Sequence, residues 1–389
     1  MTAAALLCLA GAALLLAVVQ ATALRLHLNG RTPEPRAFPF ISILKPLCGV
    51  DDDLWSNLES FTRQRYPRYE ILLGVKDRRD AGYALALRAA QRWPGLVRVV
   101  LQRGAPGFNP KVNQLITLAA VARGGVLVVS DSNIRVARAY LRGIAAAFED
   151  PQVGLVTHPV AGIGERNLGA LLDNLTLCGS VAAGVVSARR LARKDLVVGK
   201  SMALRRSDLR AMGGFERLKD VLAEDFLCGR IVTAELGKKV ALLPEPVFNV
   251  CRAQCVTAFF SRYQRWSVMQ RKAVGNATYA AQVLLNPVAL AAAAVLAAPG
   301  QTTASAFCLA AVVRACLHES SARALRGRGF STSALLAPLA DLLLGCAWAS
   351  GFFRSEITWR GNRLAVREGT RLEPVARPAF AAPEPRAAA

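Results

Sequence analysis

Acidic residues are scarce in this chain. Among its 389 residues, 27 Asp and Glu stand against 49 Lys and Arg, a formal net charge of +22. Histidine is scarcer still: His27, His158 and His318 are the only three, which disfavours any mechanism built on a His dyad or a His-rich metal site. Nine cysteines occur without paired spacing. Cys251 and Cys255 sit four apart, but no second pair or histidine cluster completes a zinc site. Buried or lipid-facing thiols in a reducing compartment fit that scatter. Aromatic residues are only 7% of a chain that is 53% hydrophobic.

A surplus of positive charge suits nucleic acid, an anionic membrane surface or phosphorylated small molecules. The apolar residues are concentrated at the two ends, which argues against a soluble nucleic-acid binder and for a basic membrane protein. Ala3 to Leu24 is broken only by Gln20 and Thr22, and its length of about twenty residues matches a hydrocarbon core. Nothing basic precedes it, while Arg25, Arg31 and Arg36 follow. It therefore reads as an uncleaved anchor rather than a signal peptide, with the following domain in the cytoplasm.

Three more apolar stretches lie near the other end: Ala277 to Ala298, Ala304 to Leu317 and Ser333 to Phe353. Beyond them come Arg354, Arg360, Arg363, Arg367, Arg371 and Arg377, a basic tail that belongs in the cytoplasm. Three full crossings would put it outside. The middle stretch is short and carries Arg314, so it is expected to be re-entrant or only partly inserted. Asp341 is costly in lipid and is expected to face protein. Pro374 to Ala389 is Pro/Ala-rich and expected to be disordered.

Between the apolar ends, strand and helix patterns alternate. Strands are expected at Phe40–Leu44, Tyr69–Val75, Val97–Leu101, in the run ending at Asp131, and at Val153–Thr157, Val197–Leu204 and Lys239–Leu243. Helices are expected at Asp52–Thr62, Ala81–Trp93, Lys111–Val121, Asn167–Val181 and from Ala223 to about Glu235. Such alternation indicates parallel βαβ units and an α/β sheet covered on both faces, whose ligands bind at the carboxyl ends of the strands. Asp77 and Asp131 fall at such ends. Glu224 and Asp225 open a helix, where acids also offset the helix dipole. In the helix from Ala258 to Lys272, Phe259, Tyr263 and Trp266 share one face with Arg262 and Arg265 beside it, a pattern suited to the membrane interface. The expected organisation is an anchor (1–25), an α/β domain (38–256), an interfacial amphipathic helix (257–275), a transmembrane region (276–353) and a tail (354–389).

Together these features resemble membrane glycosyltransferases of the GT-A type, with their D, D, D, (Q/R)xxRW pattern, and more closely the ceramide glucosyltransferases of glycosyltransferase family 21. The residues that carry the resemblance are Lys45-Pro-Leu-Cys-Gly-Val-Asp51, Tyr69-Glu-Ile-Leu-Leu-Gly-Val-Lys-Asp77, Asn109-Pro-Lys-Val-Asn113 and Asp131-Ser-Asn-Ile-Arg135. Further along come Val153-Gly-Leu-Val-Thr157, Gly199-Lys-Ser-Met202, Ala223-Glu-Asp225 and Arg262-Tyr-Gln-Arg265-Trp266, with weaker support from Trp359-Arg-Gly361. The resemblance implies a GT-A nucleotide-diphospho-sugar transferase domain between N- and C-terminal transmembrane helices. It implies transfer of a hexose from a UDP-sugar to a membrane lipid, ceramide first, with inversion. Hopanoid or diacylglycerol are the alternative acceptors, and a non-catalytic basic membrane scaffold is the reading from another class.

By the same resemblance, Asp225 is the catalytic base. Asp131 would hold a divalent cation, Mg2+ or Mn2+, and Asn133, where many GT-A enzymes carry a second acid, offers only a neutral oxygen. Asp77, Lys111 and Asp131 would bind the donor, and Arg262, Arg265 and Trp266 would close over its diphosphate. The partners are a UDP-sugar, a ceramide-like lipid and the bilayer, with no nucleic acid. The implied setting is the cytoplasmic face of a bacterial inner membrane.

Overall fold

The computed structural model describes residues 2–327, 331–359 and 362–375. α1 (Ala3–Leu28) leads into β1 (Ile41–Pro46), α2 (Leu54–Thr62), β2 (Tyr69–Val75), α3 (Gly82–Arg92), β3 (Val97–Leu101), α4 (Pro110–Val121) and β4 (Val126–Ser130). Next come β5 (Ile134–Arg135), α5 (Tyr140–Ala147), β6 (Val153–Thr157), β7 (Val160–Ile163), α6 (Leu168–Thr176) and α7 (Ala182–Ala192). The domain closes with β8 (Ser201–Arg205), α8 (Arg206–Ala211), α9 (Glu224–Arg230), β9 (Lys239–Leu242) and β10 (Val247–Val250). Then follow α10 (Val256–Val274), α11 (Asn276–Ala281), α12 (Pro287–Ala297), α13 (Gln301–Arg326), α14 (Ala337–Gly351), β11 (Glu356–Trp359), β12 (Asn362–Val366) and β13 (Leu372–Pro374).

The main sheet has seven strands in the order β3-β2-β1-β4-β8-β6-β9, parallel except that β8 runs against both β4 and β6. Successive residues of β1, β2 and β4 feed two cores. Ile41, Ile43, Ile71, Leu73 and Val128 face one layer, while Leu44, Leu72, Leu127 and Val129 face the other. Burial on both faces is why these strands read as largely apolar runs, and the buried Ser42 and Glu70 that interrupt them bond each other. A second sheet, β5-β10-β7, flanks the main one.

Several expected elements shift by a residue or more at their ends, and two differ further. The strand expected over Val197–Leu204 with a break at Gly199 and Lys200 is confined to Ser201–Arg205, and those two residues belong to the loop before it. The helix anticipated to stop at Val181 passes through a π-helical turn, Leu177–Val181, and continues to Ala192. It is long and apolar enough to cross a membrane, yet it is largely buried inside the protein.

The apolar region at the carboxyl end departs furthest from expectation. The stretch expected to be re-entrant is α13, an unbroken helix of 26 residues. The break lies in the preceding stretch, where α11 and its trailing turn meet α12 at 88° across Asn286. Asn286 itself caps α12 by accepting from the Ala289 N–H, and Pro287 fits the first turn, where no N–H is needed. Length and composition also qualify α1 and Thr332–Gly351 as possible spans. Asp341 is buried against protein, as expected, paired with Arg314 at 2.7 Å and 3.1 Å. Most of the basic tail is ordered into the antiparallel sheet β11-β12-β13. Of the segment expected to be disordered, 376–389 lies outside the described residues.

Candidate functional site

β1, β2 and β4 run parallel, so Leu47, Lys76-Asp77 and Asp131 all emerge at one edge of the sheet. β8 runs the other way, with Ser201 opposite Ser130, so the loop before it arrives at the same edge. Gly199 and Lys200 thereby reach Asp131, whose N–H donates to the Lys200 carbonyl at 3.2 Å.

Lys111 links the groups at that edge. The Asn109 side chain caps α4, accepting from the N–H groups of Lys111 and Val112, and Pro110 fixes the first turn. From there the Lys111 ammonium lies 3.0 Å from Asp131 Oδ1 and 2.9 Å from Glu224 Oε1, and donates to the Gly199 carbonyl at 2.9 Å. Lys200 stands 3.7 Å from Asp131 Oδ2. Lys45, fully buried at the end of β1, donates to the Asp131 carbonyl at 2.8 Å and lies over the Phe61 ring.

Burial alone would raise the Asp131 carboxyl, but Lys111, Lys200 and Lys45 outweigh it and hold the group at about 2. The same burial draws Lys45 down to about 7, against the pull of Asp131 and Asp51. Asp225 goes the other way. Burial, then the neighbouring Glu224, raise it to about 6, although Lys111 and the N–H groups of Phe226 and Gly199 favour its charged form. Its Oδ2 accepts from the Gly199 N–H at 2.6 Å. A Cβ at position 199 would lie 2.7 Å from that oxygen, so only glycine permits the approach. One edge thus holds a carboxylate that stays ionised and a second that titrates near neutrality, the separation expected when two acids divide two roles.

The other expected residues are placed differently. Asp77 is exposed, its Oδ1 accepting from the Arg79 N–H at 2.7 Å. With β1 between them, β2 and β4 are two strand spacings apart, about 10 Å, and the register sets Asp131 level with Gly74, so Asp77 lies further out along its own strand. Asn133 is partly buried, and its backbone carbonyl accepts from the Val250 N–H at 2.8 Å. Arg262 pairs at 2.6 Å with Asp173 of α6, a carboxylate that also accepts from the Tyr263 hydroxyl. Its charge still reaches the site, since it helps lower Lys200. Trp266 packs against the domain core and edge-on to Tyr263. Arg265 lines a cleft with Gln264, Arg354 and Thr358, between α10 and the tail sheet.

Sequence reasoning placed Asp131, Lys111 and Asp225, which the fold brings together, and missed Glu224, Lys200 and Lys45 as their partners. The signals were present in Lys45-Pro46, Gly199-Lys200 and Glu224-Asp225, but only the strand order brings them to one point. Among the described residues no three His, Cys, Asp or Glu side chains cluster as a metal cage. A hard cation held by one carboxylate and substrate phosphates needs no such cage, and Asp131, ionised and with 27% of its side-chain surface accessible, fits that sparser arrangement.

A mannosyltransferase from Pyrobaculum calidifontis, solved with GDP-mannose and Mn2+, shares the fold at TM-score 0.50 and 18% identity, over 90% of this chain and 97% of its own. The architecture is thus the α/β GT-A type. Ceramide glucosyltransferase 1 of Caenorhabditis elegans is 27% identical over 62% of this chain and 52% of its own length. The ceramide glucosyltransferase of Komagataella phaffii is 27% identical over 46% of this chain and 39% of its own. The chain therefore spans about half the length, or less, of the curated relatives it matches. The family model of glycosyl transferase family 21 matches residues 5–372, nearly the whole chain, and the chain belongs to that family.

Proposed function

We propose that this chain transfers a hexose from a UDP-sugar to a hydroxyl of a membrane lipid, ceramide or a lipid like it, with inversion at the anomeric carbon. The observation that carries the reading is the placing of Asp131 and Glu224 on one lysine, with Asp225 beside them, at the ligand-binding edge of the sheet. The donor diphosphate would lie against Asp131, Lys111 and Lys200, with Asp77 toward the nucleoside and Arg262, Arg265 and Trp266 on the membrane side. Asp131, with Asn133 as a neutral oxygen donor, would hold a Mg2+ or Mn2+ ion, whose positive charge would favour departure of UDP.

Asp225 takes the proton of the acceptor hydroxyl as that oxygen bonds to the anomeric carbon. The bond from that carbon to the phosphate oxygen breaks, and its electron pair leaves with UDP. A base must be ionised to act. With Asp225 raised to about 6, activity should climb as pH rises through that value. A single base and a single displacement give inversion. The relatives' names support ceramide as the acceptor.

The test is incubation of the purified membrane protein with labelled UDP-sugars and a total lipid extract, followed by mass identification of the product. A glycolipid is expected from the wild type and none from Asp225→Asn, with UDP-sugar binding largely retained by the variant. Full transfer by Asp225→Asn would remove Asp225 as the base, and no labelled lipid with any UDP-sugar would overturn the function.

A further inference from the structure

The described part of the carboxyl-terminal tail meets the domain at the segment just before Glu224 and Asp225. Leu372 N–H donates to the Asp220 carbonyl at 2.8 Å, Val221 and Arg371 form an antiparallel bridge, and Leu222 N–H donates to the Thr370 carbonyl at 2.9 Å. The Thr370 hydroxyl accepts from the Ala223 N–H at 3.3 Å. Ala223 is the N-cap of α9 and has no side chain with which to cap it. In a capping box a Glu or Gln three residues on accepts from the N-cap N–H; here a threonine 147 residues away does so.

Thr370 is held for this position. It has a φ of +62°, in the left-handed region that β-branched residues avoid, and it follows Gly369, whose φ is +67°. Such a conformation persists only where its surroundings over-determine it, and it concentrates at functional sites. Here the surroundings are substantial. Thr370 is 1% exposed, Glu368 pairs with Lys272 of α10, and the inner face of the tail sheet buries Leu364, Val366 and Leu372 against Leu222 and Val268. On the opposite side of the segment, the Asn109 amide donates to the Val221 carbonyl at 2.8 Å and approaches Glu224 at 3.4 Å. The residues leading into Asp225 are therefore gripped between the cap of α4, which carries Lys111, and Thr370.

We propose that Thr370 is a positioning residue for the acid–base chemistry of this site: the tail is a clasp that sets the first turn of α9, and with it the direction of the Asp225 carboxylate. The proposal rests on the reading of Asp225 as the base. It also gives the tail a place in the reaction, although the tail lies beyond the last apolar helix and contributes no acid to the cluster at Lys111.

The test compares Thr370→Val, which keeps the branched shape and removes the oxygen, with Thr370→Ser, which keeps the oxygen. Both are made in the full membrane protein. In Thr370→Val, kcat should fall on the order of tenfold, with the donor KM changed by less than about twofold, because a displaced base costs rate and not donor binding. Its acid pH limb should move down as water reaches Asp225, and Thr370→Ser should restore both. Wild-type kcat and pH limb in Thr370→Val, with Asp225→Asn inactive, would sink the clasp alone. An active Asp225→Asn would sink the base and the clasp together. Loss of UDP binding by Thr370→Val would assign the tail a purely structural role and overturn the proposal as well.

Discussion

Lys111 is one cation serving three carboxylates, and the difference between Asp131 and Asp225 follows from how directly each one meets it. Asp131 touches the ammonium and has Lys200 and Lys45 as well, so its charge is secured. Asp225 feels Lys111 only at a distance and has the negative Glu224 as its neighbour. Replacing Lys111 by Met removes a group that lowers both carboxyls. Asp225 should then rise above about 6, and the acid limb of the rate profile should move to higher pH, with weaker donor binding alongside. An unmoved limb in Lys111→Met would mean that Lys111 does not tune the base. At this scale the sequence was legible where a motif carries an acid on a strand end or a helix start, as with Asp131 and Asp225. It was silent on which lysines meet them. Lys45, Lys111 and Lys200 come from three separate strand–loop units, and only the parallel register of β1 with β4 and the reversed direction of β8 bring them within a few ångströms.

For whole elements, the central strands were legible because burial on both faces leaves a largely apolar run, and β2 and β6 have the limits anticipated for them, as does the edge strand β3, which is only partly buried. The helix α13 was not. Read alone, Arg314, His318 and Glu319 interrupt an apolar stretch and shorten it. Folded, each has a partner distant in sequence: Arg314 meets Asp341 and Ser180, His318 meets the Leu175 carbonyl, and Glu319 accepts from the Ser331 N–H. A hydropathy pattern counts these groups as unpaired, which in an apolar setting they are not. The Arg314–Asp341 pair is buried on both sides. Asp341→Asn leaves a guanidinium without its counter-charge and should cost about 3 kcal/mol, the lower end for breaking a buried pair. Thermal inactivation in detergent measures this, and an unchanged midpoint would show that the pair does not hold α13 to α14.

At the scale of the molecule, the helix partners bear on the parity problem that the apolar stretches raise. Ala10 and Ala13 of α1 pack with Ala310 near the start of α13, and Ala23 and Leu24 with Ala322 and Leu325 near its end, so α1 and α13 run parallel. Both deliver their carboxyl ends to the α/β domain: His27 of α1 bonds the Leu243 carbonyl, and Arg326 of α13 pairs with Glu165 at 2.7 Å. α12 precedes α13 across a three-residue turn, 298–300, and packs on both, so it runs the opposite way. α14 instead follows α10, with Ala340 and Ala347 against Phe259 and Tyr263 and Ser350 bonded to Gln264, and it hands the tail to the domain. If α1 spans the membrane, the 298–300 turn lies level with its amino end, because α13 runs parallel to it. α12, at 11 residues about 16 Å long, qualifies as a span only together with α11 and its turn across the 88° bend. α14 packs beside α10 and the tail sheet packs on Leu222 and Val268, so the described part of the basic tail, 354–359 and 362–375, lies against the domain. A reporter inserted in the 298–300 turn should respond from the face opposite the domain, and one fused after residue 375 from the domain's own face. The same response from both positions would mean that the 298–300 turn does not reach the face opposite the domain.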